Sequence, residues 1–275
     1  MSNTPSLPHG IGFLGGGNMA EAIMAGLIAN GMPPARIHVG EPREERCREL
    51  HAKHGIVATP DNHAVIAAVD VLLLAVKPQV LGDILIGLAP DLKAHRPMLI
   101  SIAAGIPVAK LQGWADCDVP IVRCMPNTPA LVGAGVSGLF ADASLSEAQR
   151  ATASRIMQAV GPVHWLPEEP LIDALTAISG SGPAYFFAFV EHLTKAGTEL
   201  GLSEELSAAL ARQTAWGAAK LMQETDTPAA TLRAQVTSPG GATQAALEAF
   251  NAGDFAGLVQ SATQACMRRA QELGG

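Results

Sequence analysis

Two short stretches hold residues whose types and spacing suit the binding of anions by backbone groups. Gly15, Gly17 and Ala20, within FLGGGNMA, have the G-x-G-x-x-A spacing near the start of the chain. A tight turn at Gly15, close backbone approach at Gly17 and close helix packing at Ala20 would let a pyrophosphate rest on a helix N-terminus. The second stretch, Ser238 to Thr243, reads SPGGAT and contains no His, Asp, Glu, Lys or Cys. It is either a plain joint between helices, with Ser238 or Thr243 as a local cap, or a turn whose amides hold a carboxylate.

A glycine turn of this kind works only between a strand and a helix, and the surrounding pattern supplies both. GIGFLG reads as a strand, and MAEAIMAGLIANG as the helix after it. RIHVGE, DVLLLAV, MLISIAA, VPIVRCM, GVSGLFA and VHWLP are further strands, interspersed with helical patterns that include residues 78–94 and 107–115. Apolar strands alternating with helices predict a doubly wound α/β sheet of the Rossmann type. After Pro167 no strand-like run remains, and helical periodicity continues to the end. The expected architecture is a dinucleotide-binding domain over 1–166 and an all-α domain over 167–275. Ser203, followed by Glu204 and Glu205, reads as a cap with an acidic first turn.

Glu41 ends the second strand, where an acid would bond a ribose 2′-hydroxyl and favour NAD. Arg43, two residues on, could instead meet a 2′-phosphate, and a solvated strand end is the plain alternative for Glu41.

Composition narrows the function classes. A net charge of −7 leaves no basic footprint for nucleic acid. The apolar run VLLLAV is too short to span a bilayer. The segment MSNTPSLPHG lacks the layout of a secretory signal. Cys47, Cys117, Cys124 and Cys266 are scattered without metal-ligand spacing, so no metal is expected and a reducing cytoplasm fits. Cys124 reads as a small buried residue. Tyr185 reads as a helix core position beside Phe186, Phe187 and Phe189, and Trp114, Trp165 and Trp216 as packing residues.

GFLGGGNMAEAI, LLAVKPQ, SIAAGI, VRCMPNTPALVGAG, TAISGSGPAYFFAF and VTSPGGATQAALE together resemble the Δ1-pyrroline-5-carboxylate reductase family over essentially the whole chain. The resemblance implies reduction of a cyclic C=N bond by NADPH or NADH, the last step of proline biosynthesis. It implies that Gly15, Gly17, Asn18 and Met19 hold the pyrophosphate and that Asn62 contacts the adenosine end. Ala75, Val76, Lys77, Pro78 and Ala104 would line the path to the nicotinamide. Glu169, Thr176, Ser238, Ala242 and Thr243 would surround the substrate, with the helical domain as a homodimer interface near the active site and rings of dimers in some members. On this reading the amides of Gly241, Ala242 and Thr243 hold the substrate carboxylate, and Thr243 contacts the ring nitrogen. Family members that prefer NADPH commonly carry a small hydroxyl or a basic residue where Glu41 stands.

Two other readings share the architecture. A β-hydroxyacid dehydrogenase resembles this chain but needs a lysine on the helix where GSGPAYF places Phe186. A non-catalytic dinucleotide-binding redox sensor has no need of an intact SPGGAT turn.

Overall fold

The computed structural model describes residues 8–274. The segment tested for a signal sequence therefore lies mostly outside the described residues. The chain forms two compact units that divide between Gly180 and Ser181, with Met267 onward grouped with the first.

The first unit is built on eight strands: β1 (Ile11–Leu14), β2 (Ile37–Gly40), β3 (Val57–Thr59), β4 (Val71–Leu74), β5 (Met98–Ser101), β6 (Ile121–Met125), β7 (Ser137–Phe140) and β8 (Val163–Trp165). Their order is β3-β2-β1-β4-β5-β6-β7-β8, parallel except for the antiparallel β6–β7 pair. β1, β4 and β5 are buried at every position, because helices cover both faces of the sheet. Ile11, Phe13 and Leu73 join one apolar cluster, while Leu14, Leu72 and Leu74 join the other. The two-residue period of a strand thus feeds two cores.

The helices of this unit are α1 (Asn18–Ala29), α2 (Glu44–His54), α3 (Asn62–Ala67), α4 (Pro78–His95), α5 (Val108–Ala115), α6 (Glu147–Gln158) and α7 (Leu171–Leu175). A π-helical turn, Thr176–Gly180, follows α7. The doubly wound sheet and the helical region after it match the expected fold class. Edge strand β3 was not anticipated: three partly exposed residues are too few to show a strand period.

The second unit contains α8 (Gly182–Glu199), α9 (Glu204–Thr225), α10 (Ala229–Gln235), α11 (Ala242–Ala252) and the first part of α12 (Phe255–Gly274). The Ser203 hydroxyl accepts the Leu206 amide at 3.2 Å and caps α9 as expected. Among the described residues of this unit only Gly182, Ser207 and Ala211 are buried. The core placement expected for Tyr185 and its neighbours does not hold within one chain: Phe186 and Phe187 are 68% and 67% exposed. Trp216, expected to pack, is likewise exposed. A bundle with so little interior leaves its apolar faces to meet something else.

Candidate active site

Parallel strands deliver their following loops to one edge of a sheet, and a crevice opens where the strand order reverses. Here the reversal falls between β1 and β4. The turn after β1 carries Gly15–Gly17, Glu41 follows β2, Ala75–Pro78 follow β4 and Ala104 follows β5. With Asn62, which follows β3, the structure thus brings the expected cofactor residues to the carboxyl ends of five neighbouring strands.

Gly15 has φ +98°, and a Cβ there would lie 2.9 Å from the Ala75 carbonyl oxygen. Its amide donates to the Gly40 carbonyl at 2.8 Å, tying the turn to β2. Gly17 is the N-cap of α1 and has no side-chain capping bond. A Cβ on Gly17 would meet nothing within 4 Å. An uncapped N-terminus beside open space, with Asn18, Met19 and Ala20 in its first turn, fits a dinucleotide pyrophosphate.

Both polar groups of Gly16 are held by side chains. Its amide donates to Glu41 Oε2 at 3.1 Å, and its carbonyl accepts from Arg46 Nε at 3.0 Å. Arg46 also pairs with Glu21 on α1, which in turn accepts from Lys53 and His54. Hydrogen bonds from Lys53 and then His54 outweigh the opposing effect of burial and, with Arg46, bring the Glu21 carboxyl down to about 2. A depressed carboxyl contributes stability that is present above its unfolded value and lost as pH falls through the folded one. Between the ordinary value of 4.5 and about 2, wild type should therefore lose more thermal stability than Glu21→Gln. Parallel melting curves across that range check this, and equal slopes would contradict it.

Glu41 stands at the end of β2 as anticipated and is 5% exposed, but its carboxylate is engaged inside the protein. Oε2 takes the Gly16 amide, and Oε1 takes the amide of Arg43 at 3.2 Å and its Nε at 2.8 Å. Burial works to raise this carboxyl, yet the bonds from Arg43 and Gly16 prevail and hold it below its ordinary value. Asn62 opens α3, with its Oδ1 only 2.0 Å from where a Cβ on Gly40 would lie, so glycine there makes room for it. Lys77 is the exposed N-cap of α4, with Pro78 at the first helical position. Ala104 is exposed just past β5.

Glu169 and Thr176 belong to the first unit. Glu169 Oε1 accepts the Val108 amide at 2.8 Å and Arg123 Nη1 at 3.2 Å, while Arg123 Nη2 reaches Asp173 at 3.2 Å. Thr176 opens the π-helical turn and donates its hydroxyl to the Ile172 carbonyl at 2.7 Å. Asn127 donates to the Ser179 carbonyl of that turn at 3.1 Å and accepts the Val136 amide at 2.9 Å. Neither Arg123 nor Asn127 is among the residues expected at the site, although an arginine inside the apolar run VPIVRCM is a visible signal. Cys124 is buried as expected, and burial pushes its thiol up.

Ser238, Gly241, Ala242 and Thr243 lie in the second unit. Pro239 and Gly240, with Gly240 at φ +71°, stand at the central positions of a turn closed by the Gly241 amide on the Ser238 carbonyl at 3.0 Å. This is the chemistry of a type II turn. It corrects one expectation: the Gly241 amide is already bonded, so the unpaired amides are those of Ala242 and Thr243. Gly241 is the N-cap of α11, the Gly240 amide before it donates to Gln244 Oε1 at 2.7 Å, and neither Ser238 nor Thr243 makes a capping bond.

Fold and site together define a dinucleotide-binding α/β protein with an appended helical unit. Residues 169–273 match the family described as pyrroline-5-carboxylate reductase dimerisation, and residues 10–105 match that described as NADP oxidoreductase coenzyme F420-dependent. The pyrroline-5-carboxylate reductase of Pseudomonas aeruginosa is 45% identical over 96% of both chains. A solved pyrroline-5-carboxylate reductase from Coxiella burnetii has a TM-score of 0.93 at 39% identity, covering 98% of this chain and 100% of its own. A solved pyrroline carboxylate reductase from Plasmodium falciparum, with NADP bound, has a TM-score of 0.84 at 30% identity, covering 97% of this chain and 98% of its own. The chain belongs to the pyrroline-5-carboxylate reductase family.

Proposed function

We propose that the protein reduces Δ1-pyrroline-5-carboxylate to L-proline with NADPH or NADH. The observation that carries this reading is near-full-length similarity to reductases of that name, joined to an uncapped glycine turn in each compact unit. The functional division falls near 166–167: a dinucleotide-binding region, then a region for substrate binding and dimerisation. The dimerisation match from residue 169 supports that division.

The reduced nicotinamide, when bound, supplies a hydride. Gly15, Gly17, Asn18, Met19 and Ala20 hold the pyrophosphate, Asn62 the adenosine end, and Ala75–Pro78 with Ala104 flank the nicotinamide. The Ala242 and Thr243 amides hold the substrate carboxylate, with Ser238 adding a hydroxyl and Gly241 allowing close approach. Glu169 and Thr176 are further substrate ligands. Thr243 Oγ1 meets the ring nitrogen. A protonated imine already accepts a hydride at carbon and becomes a secondary amine, so the chain has only to orient the ring and exclude competing poses. That accounts for a turn without an ionisable side chain. It also leaves the dehydrogenase alternative without the proton acceptor that alcohol oxidation needs, since Phe186 occupies the lysine's place.

The exposed apolar faces of α8, α9, α11 and α12 support a homodimer formed through the helical unit, and rings of dimers are an extension of it. Four free cysteines fit the cytoplasm. Among the described residues no helix is long and apolar enough to cross a membrane.

Thr243→Val tests the assignment of the turn. Loss of the hydroxyl should lower kcat/KM for the imine by about 10- to 100-fold, the worth of one site hydrogen bond. Cofactor Kd should stay unchanged. Wild-type kinetics in the variant would remove Thr243 from the mechanism, and a wild-type protein that fails to reduce the imine would remove the reading itself.

A further inference from the structure

An acid at the end of β2 is the usual mark of NAD selection, because it bonds the ribose 2′-hydroxyl and repels a 2′-phosphate. Glu41 has the position but not the freedom. Three protein donors, the Gly16 amide and the amide and Nε of Arg43, already converge on its two oxygens. A carboxylate offers about four lone-pair sites, so little accepting capacity remains, and the group is buried. Its negative charge is paired with a guanidinium at 2.8 Å.

Arg43 shows the opposite pattern. It gives Glu41 only its side-chain Nε and its amide, and its side chain is 69% exposed. Its two terminal amino groups have no protein partner among the described residues. The bond at Nε fixes the guanidinium at the carboxyl end of β2, where the ribose of a dinucleotide on this fold belongs. A guanidinium held that way presents a planar fork, the geometry that receives a phosphate through paired N–H bonds. Arg46 is not a competing fork, since its donors serve Gly16, Glu21 and Glu49.

We propose that Arg43 is the specificity-determining residue for a 2′-phosphorylated dinucleotide, and that Glu41 is a positioning residue that orients Arg43 and pins the glycine turn. This deepens the reductase reading and rests on it: of the two reductants, the protein selects NADPH.

Calorimetric titration of the purified protein with NADP+ and with NAD+, without substrate, tests it apart from activity. Wild type should bind NADP+ at least about tenfold more tightly. Arg43→Ala should weaken NADP+ by about 10- to 100-fold and leave NAD+ within about threefold, because only the phosphate contact is lost. Arg43→Lys should recover part of the preference, as a point charge replaces the fork. Glu41→Ala should weaken both cofactors, through the turn, and narrow their ratio, through Arg43. Unchanged melting of the exposed Arg43 variants confirms that their fold is intact. Tighter binding of NAD+ by wild type, or an unaltered ratio in Arg43→Ala, would overturn the inference while leaving the reductase reading in place. Failure to bind either dinucleotide would overturn both.

Discussion

Arg123→Ala is expected to lower the free energy of unfolding by about 3–5 kcal/mol, the usual cost of removing one partner from a buried charge cluster. The Arg123 side chain is 6% exposed and holds two carboxylates, Glu169 and Asp173, that have 23% and 16% exposure themselves. Alanine leaves both anions without their cation and opens a void on β6. Urea unfolding at fixed protein concentration measures the loss, since any subunit association enters the apparent stability. A change below about 1 kcal/mol would mean that solvent screens the cluster more than its burial implies. Function should suffer beyond stability. Glu169, the proposed substrate ligand, is held by Arg123 and by the Val108 amide, so losing one anchor should raise KM for the imine before kcat changes. Replacing all three residues with neutral counterparts, Arg123→Met, Glu169→Gln and Asp173→Asn, should restore much of the stability and none of that KM.

Gly17→Ala and Gly15→Ala should separate a glycine kept for a ligand from one kept for the fold. Gly17 has φ −73°, which alanine adopts readily, and the added methyl meets nothing within 4 Å. Its unfolding free energy should stay within about 0.5 kcal/mol of wild type. Its Kd for NADPH should rise about tenfold or more, because the methyl enters the space where a pyrophosphate approaches the backbone. Gly15 has φ +98° and a carbonyl 2.9 Å from the would-be Cβ. Gly15→Ala should therefore lose about 1–3 kcal/mol of stability as well as cofactor affinity. Fluorescence titration beside thermal melting reads both quantities. Equal effects of the two variants on stability, or no effect of Gly17→Ala on binding, would contradict this division of roles.

The parts of this protein that were legible in its sequence are those with short-range causes. The glycine turn, its flanking strand and helix, and the Ser203 cap depend on neighbours within a few residues. The buried strands show themselves as unbroken apolar runs. The parts that stayed hidden depend on distant partners. Glu41 shows only its place at a strand end until Gly16, 25 residues away, is seen to donate to it. Glu169 looks free until Val108 and Arg123 are placed beside it, 61 and 46 residues away. In SPGGAT the cause is local after all: Pro followed by Gly at the central positions marks a turn that the Gly241 amide closes. The aromatic run after SGSGP reads as interior because its residues are large and apolar, yet one chain supplies too few neighbours to cover it. The π-helical turn at Thr176–Gly180 has no sequence code of its own and follows from packing around it.

Hydride transfer to the imine is measured most directly by mixing the purified protein with Δ1-pyrroline-5-carboxylate and NADPH carrying deuterium at the transferable C4 position, then analysing the product. The expected product is L-proline labelled at C5, formed in one-to-one proportion with the cofactor oxidised. A protein that binds NADPH yet neither oxidises it with this imine nor yields labelled proline would not be a reductase of this imine.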